Sequence, residues 1–275
     1  MRVLAPRSLD EALGMRAEEE VVPMAGGTDL LVHWPVRPET RQRIYLDLWG
    51  LEELGRLRWM EGWLELGALA TYWDVVRHPL ANAELPILVE AARQVGAVQI
   101  QARGTWAGNI ANASPAADGV PVLMACDATV LLVSARGCRE VPLDGFYRGY
   151  KEMDMEPDEL VTAVRIPRRP RPIQRFFKVG SRRAQAIAKV GLAIARSDEG
   201  WRVVAASVAP TVRRCPAIET RLDEGWVPGS PDDLLPTIRA DVAPIDDLRS
   251  TAAYRDATLA RVLFHAWPGV DGVAS

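Results

Sequence analysis

Gly104-Thr105-Trp106-Ala107-Gly108-Asn109-Ile110-Ala111-Asn112-Ala113-Ser114-Pro115-Ala116-Ala117-Asp118 is a run of small apolar residues that carries two asparagines, a threonine, a serine and an aspartate. Polar groups enclosed by small residues need hydrogen-bond partners. Glycine allows positive φ and close approach of a ligand, and successive backbone N–H groups then form a concave donor surface suited to an anion. A phosphate-bearing cofactor would supply what those polar groups lack. Ala25-Gly26-Gly27-Thr28-Asp29-Leu30 is a second loop of the same kind. Taken singly, either loop is also compatible with an ordinary turn. Neither fits GxGxxG or GxxxxGK[ST], which argues against a Rossmann dinucleotide site and against a P-loop.

The segments around these loops alternate between helix and strand signals. Leu9–Arg16 reads as a short helix and Val21–Met24 as a strand entering the first loop, with Thr28 and Asp29 as helix-start residues. Arg43–Leu48 alternates as a half-buried strand does. Leu57–Met60 and Trp63–Leu66 flank the turn Glu61-Gly62 as a hairpin. Thr71 and Asp74 form a capping box, and His78 before Pro79 marks a helix end. Pro86–Val95 and Asp118–Ala125 read as helices and Thr129–Ser134 as a buried strand. Pro167-Arg168-Arg169-Pro170-Arg171-Pro172 is a composition shift with two readings, a basic partner patch or a solvated linker; the linker is preferred and sets the domain boundary. Beyond it, Gln174–Val179, Lys189–Arg196 and Trp201–Val208 predict a three-stranded antiparallel sheet, with Asp198-Glu199-Gly200 as a turn. Arg213–Leu222, Asp232–Ala240 and Thr251–Trp267 predict helices.

Hydrophobic residues at 48% allow a real core, and a net charge of -3 gives no field for nucleic acid. The apolar runs are too short for a membrane span, and no apolar leader follows Met1, so the cytoplasm is the expected compartment. Cys126, Cys138 and Cys215 lack metal or cluster spacing and read as buried or partly buried free thiols. His33, His78 and His265 carry no ligand signature, and no Ser-His-Asp arrangement or HExxH is present. No residue is assigned to catalysis or to a metal.

In order along nearly the whole chain, these loops resemble the medium, FAD-binding subunits of the xanthine dehydrogenase, carbon monoxide dehydrogenase and 4-hydroxybenzoyl-CoA reductase group. The resemblance rests on Ala25–Leu30, on Gln99-Ile100 with Gly104–Asp118, and on Asp158–Pro167 running into Phe176-Phe177-Lys178-Val179-Gly180-Ser181-Arg182-Arg183. It continues through Ala188-Lys189-Val190, Ala206-Ser207-Val208-Ala209-Pro210-Thr211 and Asp247-Leu248-Arg249-Ser250-Thr251-Ala252-Ala253-Tyr254-Arg255. The chain departs from the family with Trp106-Ala107 in place of Ile-Gly and with Gln101-Ala102 in place of Arg-Asn; Trp106 is read as core.

The resemblance implies an α+β fold. A two-part FAD-binding domain of the vanillyl-alcohol-oxidase (PCMH) type spans residues 1–167, divided near residues 55 and 56, and a small α/β domain with the three-stranded sheet spans residues 173–275. It implies that Met24, Ala25, Gly26, Gly27, Thr28, Asp29 and Leu30 wrap the FAD diphosphate, and that Thr105, Gly108 and Asn109 complete that cradle. Asn112, Ser114 and Asp118 would line the ribityl and adenosine side, and Ala111, Val161 and Lys178 would reach the flavin. For Lys178, a strand lysine facing water is the other reading. The implied function is electron transfer from [2Fe-2S] clusters of a small partner subunit through FAD to NAD or a quinone, with molybdopterin in a large partner subunit. The rival readings are a stand-alone flavin oxidoreductase and a non-catalytic assembly subunit that has lost FAD.

Overall fold

The computed structural model describes residues 2–33, 43–55, 57–182 and 185–268. Three short strands, β1 (Arg2–Leu4), β2 (Val22–Met24) and β3 (Ile44–Asp47), form a parallel sheet in the order β1-β3-β2. Helix α1 (Leu9–Glu18) connects the first two; Ser8 caps it by accepting from Glu11 N, and Ala12 and Leu13 face the core. After β2 the chain turns at Gly27, φ +71°, into a 3-10 turn at Leu30–His33. The helix-start signal at Thr28 and Asp29 is therefore answered by a tighter, shorter helix two residues later.

The hairpin strands β4 (Leu57–Trp59) and β5 (Trp63–Gly67) belong to a second sheet. Helix α2 (Tyr72–Arg77) begins at the capping box read from sequence: Thr71 Oγ1 accepts from Asp74 N and Asp74 Oδ2 accepts from Thr71 N. Helices α3 (Pro79–Glu84) and α4 (Pro86–Gln94) follow, each with proline in its first turn where no N–H is needed. Then come α5 (Val98–Gln101), α6 (Trp106–Ala111) and α7 (Gly119–Ala125). Strands β6 (Thr129–Ser134) and β7 (Gly137–Pro142) form the next hairpin, and β8 (Tyr147–Gly149) and β9 (Glu152–Met153) a small ribbon. Strand β10 (Leu160–Pro167) completes the second sheet in the order β4-β5-β10-β6-β7.

The last part of the chain builds a four-stranded antiparallel sheet, not a three-stranded one: β11 (Ile173–Val179), β12 (Val190–Ser197), β13 (Gly200–Ala206) and β14 (Arg213–Arg214). The start of the predicted helix Arg213–Leu222 is this edge strand, because Arg213 and Arg214 pair with Ala205 and Val204; helix α8 starts only at Pro216 and ends at Asp223. The predicted helix Asp232–Ala240 divides into a 3-10 turn at Pro231–Leu234 and α9 (Leu235–Asp241). Helix α10 (Ala252–Ala266) starts where expected, with Thr251 as its cap.

β12 and β13 are buried on both faces. Val190, Leu192, Ile194, Val203 and Ala205 join the core beneath α8, α9 and α10. Ala193, Ala195, Val204 and Ala206 join the large core of the preceding sheets and helices. Alternate side chains of a strand point to opposite faces, so one sheet serves two cores. Helix α7, buried at every residue, lies against the alanine-rich face.

The expected solvated linker is a stapled segment. Arg168 binds Glu84 through both Nε (2.9 Å) and Nη2 (2.8 Å), and Arg169 meets Glu199 at 2.5 Å. Arg171 is only 6% exposed and donates to the carbonyls of Cys126 (2.8 Å) and Pro167 (3.1 Å). Arginine suits such sites because its planar fork satisfies several acceptors while its stem packs. Of the thiols, Cys126 and Cys215 are buried but Cys138 is exposed.

Arg171→Ala should lower unfolding free energy by about 1–3 kcal/mol, because it strands buried carbonyls. Urea denaturation measures this, and an unchanged midpoint would return the segment to the status of a free linker.

Candidate functional site

The two glycine loops, far apart in sequence, meet backbone to backbone. A Cβ on Gly26 would stand 1.7 Å from the carbonyl oxygen of Arg103, closer than any side chain can tolerate. A Cβ on Gly104 would stand 3.0 Å from Ile100 O and 3.4 Å from Thr28 Oγ1. The first loop is anchored by Leu48 N donating to Met24 O (2.9 Å) and Leu31 N donating to Gly27 O (2.9 Å). The second is anchored by Tyr72 N donating to Gly104 O (3.2 Å) and by an antiparallel bridge between Thr71 and Thr105.

Helix α6 sorts the predicted site residues from the core. Trp106, Ala107 and Ile110 are buried. Gly108 and Ala111 are exposed and Asn109 and Asn112 half-buried, on the other side. Thr105 caps the helix, accepting from Gly108 N at 3.0 Å. The Trp106-Ala107 departure thus falls on the core side, and its methyl does not enter the face that carries Gly108. Asn109 Oδ1 accepts from Gly119 N at 3.1 Å and ties α6 to α7. Ser114 Oγ accepts from Ala116 N at 3.3 Å, and Ala113 takes φ +48°.

Asp118, at the start of α7, is held by Lys178 Nζ at 2.6 Å on one oxygen, while its buried Oδ1 has no partner. Lys178, from β11, also donates to Gln94 O at 3.0 Å at the end of α4, where a cation is favoured by the helix dipole. The Lys178 side chain is 8% exposed, so this lysine does not face water. It ties β11 to α4 and α7. Burial pushes the Asp118 carboxyl above the ordinary carboxylate range, and the Lys178 ammonium pulls against that rise. Val161 is buried on β10, beside the register shift that separates it from Ala163. Arg183 of the resemblance segment lies outside the described residues.

Two neighbours escaped the sequence reading. The Tyr72 ring is clasped between glycines: a Cβ on Gly104 would lie 3.3 Å from its Cε2, and one on Gly119 would lie 3.1 Å from its hydroxyl. Trp106 packs on it, with ring centroids 4.7 Å apart. Burial, with Asp118 nearby, holds the Tyr72 phenol well above the ordinary tyrosine range, so it stays neutral. Some of the small residues therefore make room for a tyrosine rather than for a ligand. Lys151, at φ +61° in the β8–β9 turn, donates to both the carbonyl and Oδ1 of Asn112, and Tyr147 donates to Ile110 O at 3.1 Å. The spacing of Tyr72 after Thr71 was a legible signal, since an aromatic at the first turn of a capped helix must be packed; Lys151 had none.

A buried unpartnered carboxylate oxygen beside a backbone cradle that no side chain can occupy fits a ligand with both hydroxyl and phosphate groups. Residues 1–169 match the family described as FAD binding domain in molybdopterin dehydrogenase, and residues 175–270 match the CO dehydrogenase flavoprotein C-terminal domain. The chain is 36% identical over 205 residues to the nicotinate dehydrogenase FAD-subunit of Eubacterium barkeri, covering 71% of this chain and 69% of that one. It is 30% identical over 258 residues to the putative xanthine dehydrogenase FAD-binding subunit of Escherichia coli K12, covering 90% and 88%. It superimposes with a TM-score of 0.84 on a chain of the carbon monoxide dehydrogenase from Hydrogenophaga pseudoflava that lacks the Mo-pyranopterin moiety, at 25% identity and with 96% and 95% covered. The chain belongs to the family of FAD-binding subunits of molybdopterin dehydrogenases, and its cofactor is FAD.

An acid whose folded pKa exceeds its unfolded value makes the fold less stable as pH rises through the folded pKa. Lys178→Met removes the cation that limits this effect for Asp118. Its unfolding free energy should therefore fall more steeply than wild type as pH rises above the unfolded carboxylate value of about 3.9, with a deficit of roughly 3–5 kcal/mol once the carboxyl is ionised. Adding Asp118→Asn should flatten the profile. Parallel wild-type and Lys178→Met profiles would show that Lys178 does not hold the carboxylate.

Proposed function

We propose that this chain is the electron-transfer subunit of a molybdenum hydroxylase complex, taking electrons from [2Fe-2S] clusters of a small partner subunit and delivering them to NAD or a quinone. A large molybdopterin subunit carries out the substrate hydroxylation. The setting is the cytoplasm; among the described residues no helix is long and apolar enough to cross a membrane. The observation that carries the reading is the close approach of Gly26 to the Arg103 carbonyl, which brings the two glycine loops together, while Asp118, at the end of the second loop, keeps a buried oxygen without a partner.

The proposed organisation is an FAD domain of the PCMH type over residues 1–167, in parts of about 1–55 and 56–167, followed by a C-terminal flavoprotein domain over residues 173–275. Met24 through Leu30 wrap the diphosphate with backbone N–H groups. Thr105, Gly108 and Asn109 close the cradle. Asn112, Ser114 and Asp118 take the ribityl and adenosine side, where Asp118 Oδ1 accepts a hydroxyl. Ala111 and Val161 touch the ring system. Lys178 reaches the flavin while holding Asp118 in place. The bound flavin supplies the exchange between one-electron and two-electron transfer; the chain's residues bind, orient and tune it. His78 is stacked on Trp59, and Cys126 and Cys215 are buried, so these side chains are not poised for covalent attachment. Among the described residues no group of three or more His, Cys, Asp or Glu side chains could hold a metal.

Acid precipitation should leave yellow FAD in the supernatant; a yellow pellet would mean a covalent flavin. Gly26→Ala should reduce FAD affinity at least about tenfold, since its Cβ parts the loops. Gly108→Val should abolish binding while costing the fold only about 1 kcal/mol, because it displaces the Thr105 cap, whose oxygen is 2.8 Å from the new Cβ. Full flavin occupancy in either variant would reduce that glycine to a turn residue.

Purification from the native host should co-recover an iron–sulfur chain and a molybdopterin chain. Recovery of this chain alone, with its FAD reduced directly by an organic substrate, would favour a stand-alone oxidoreductase.

A further inference from the structure

Two stretches near the end of the chain, Ala206–Thr211 and Asp247–Arg255, lie outside the cradle, yet hydrogen bonds lead from them to it. Ser207 adopts φ +66°, a left-handed conformation that a residue with a Cβ rarely takes, and it is 6% exposed. Its N–H donates to the carbonyl of Pro115 at 2.7 Å, inside the second glycine loop between Ser114 and Asp118. Its hydroxyl donates to Ala188 O at 2.9 Å. Its carbonyl accepts from Arg255 Nη1, which also reaches Lys189 O at 3.3 Å.

Arg255 is 4% exposed, in the first turn of α10. Its charge is balanced by Asp247, whose Oδ1 lies 2.7 Å from Nη2. The same oxygen accepts from Arg249 N (2.8 Å) and Ser250 N (3.0 Å), in a tight turn closed by a bridge between Asp247 and Ser250. Burial works to raise the Asp247 carboxyl, but those N–H groups and the guanidinium outweigh it and hold the carboxyl below its ordinary range.

We infer that Arg255 is a positioning residue for the cofactor loop: with Asp247 it locks the left-handed Ser207 turn, and the Ser207 N–H holds Pro115 and with it the Ser114–Asp118 arm. A buried arginine that bridges two backbone carbonyls is costly to desolvate and would not be needed merely to fill space. The direction of the effect follows from the strain. Without Arg255, the Ser207 carbonyl loses its charged donor, the turn relaxes toward negative φ, and the N–H turns away from Pro115. The arm then samples conformations in which Ser114 and Asp118 no longer face the cradle.

The inference rests on the reading that the cradle holds FAD, and the experiment separates the two. Apo forms of the full chain are titrated with FAD, and affinity is read from quenching of flavin fluorescence. Wild type must bind; if it does not, the FAD reading fails and not the positioning role alone. Arg255→Met should weaken binding at least about tenfold, as loss of a charge-assisted network implies. Arg255→Lys, which keeps the charge and stem but not the fork, should weaken it in the same direction and serves if the methionine variant does not fold. Glycine takes positive φ without strain, so Ser207→Gly added to either variant should recover most of the lost affinity. A general packing defect around α10 would not be repaired by glycine at that position. Wild-type affinity in the Arg255 variants, or no recovery on adding Ser207→Gly, would overturn the role assigned to Arg255.

Discussion

The approach of Gly26 to the carbonyl of Arg103 is the constraint on which the rest of the site depends. Two backbones lie where a single methyl would collide, 1.7 Å from an oxygen. No side-chain interaction substitutes for such a contact, because every residue but glycine would hold the loops apart. Everything that fixes the two loops therefore serves one junction. β3 holds the first loop through Leu48, and the bridge of Thr71 with Thr105 holds the second. The capping box at Thr71 gains significance here, since the residue that starts α2 also lies against the loop that starts α6.

A second dependence runs through the sheet of β11 to β14. Its β12 and β13 strands are buried on both faces over most of their length, and their alanines let the fully buried α7 approach closely. Since α7 begins at Asp118, the C-terminal sheet sets the position of a site residue from behind. Lys178 on β11 and Ser207 after β13 each add a polar link from that sheet to the same arm. Neither core would define the arm alone, which is a physical reason for the two parts of the chain to occur together.

Local signals in the sequence were read correctly where their partners are local. The Thr71–Asp74 box, the hairpin at Glu61-Gly62 and the helix start at Thr251 depend on residues within a few positions. The failures share the opposite property. Pro167–Pro172 looks solvated because its arginines are charged and its prolines break structure, yet Glu84, Cys126 and Glu199 satisfy those arginines from elsewhere in the chain. Arg213-Arg214 carries no strand pattern in two residues; β13 imposes it. Of the two readings of Lys178, ring or water, burial against Asp118 and Gln94 removes the second, and neither of those residues is near it in sequence. The glycine loops were found by composition, but their mutual contact has no sequence signal short of the resemblance.

The distribution of charge around the cradle bears on its chemistry. Asp118 and Lys178 neutralise each other at 2.6 Å, Tyr72 is kept neutral by burial, and Lys151 lies against the carbonyl end of α6, where a cation offsets the helix dipole. The Lys178–Asp118 pair is engaged as an ion pair, with the same ammonium also donating to Gln94 O. What these side chains share is that each is packed or bonded against a residue of the second glycine loop or its immediate neighbour: Lys178 against Asp118, Tyr72 against Gly104 and Gly119, and Lys151 against Asn112. A site whose polar groups are held in place reorganises little when an electron enters or leaves a bound cofactor. That suits a cofactor which changes charge, and FAD is the cofactor of this family.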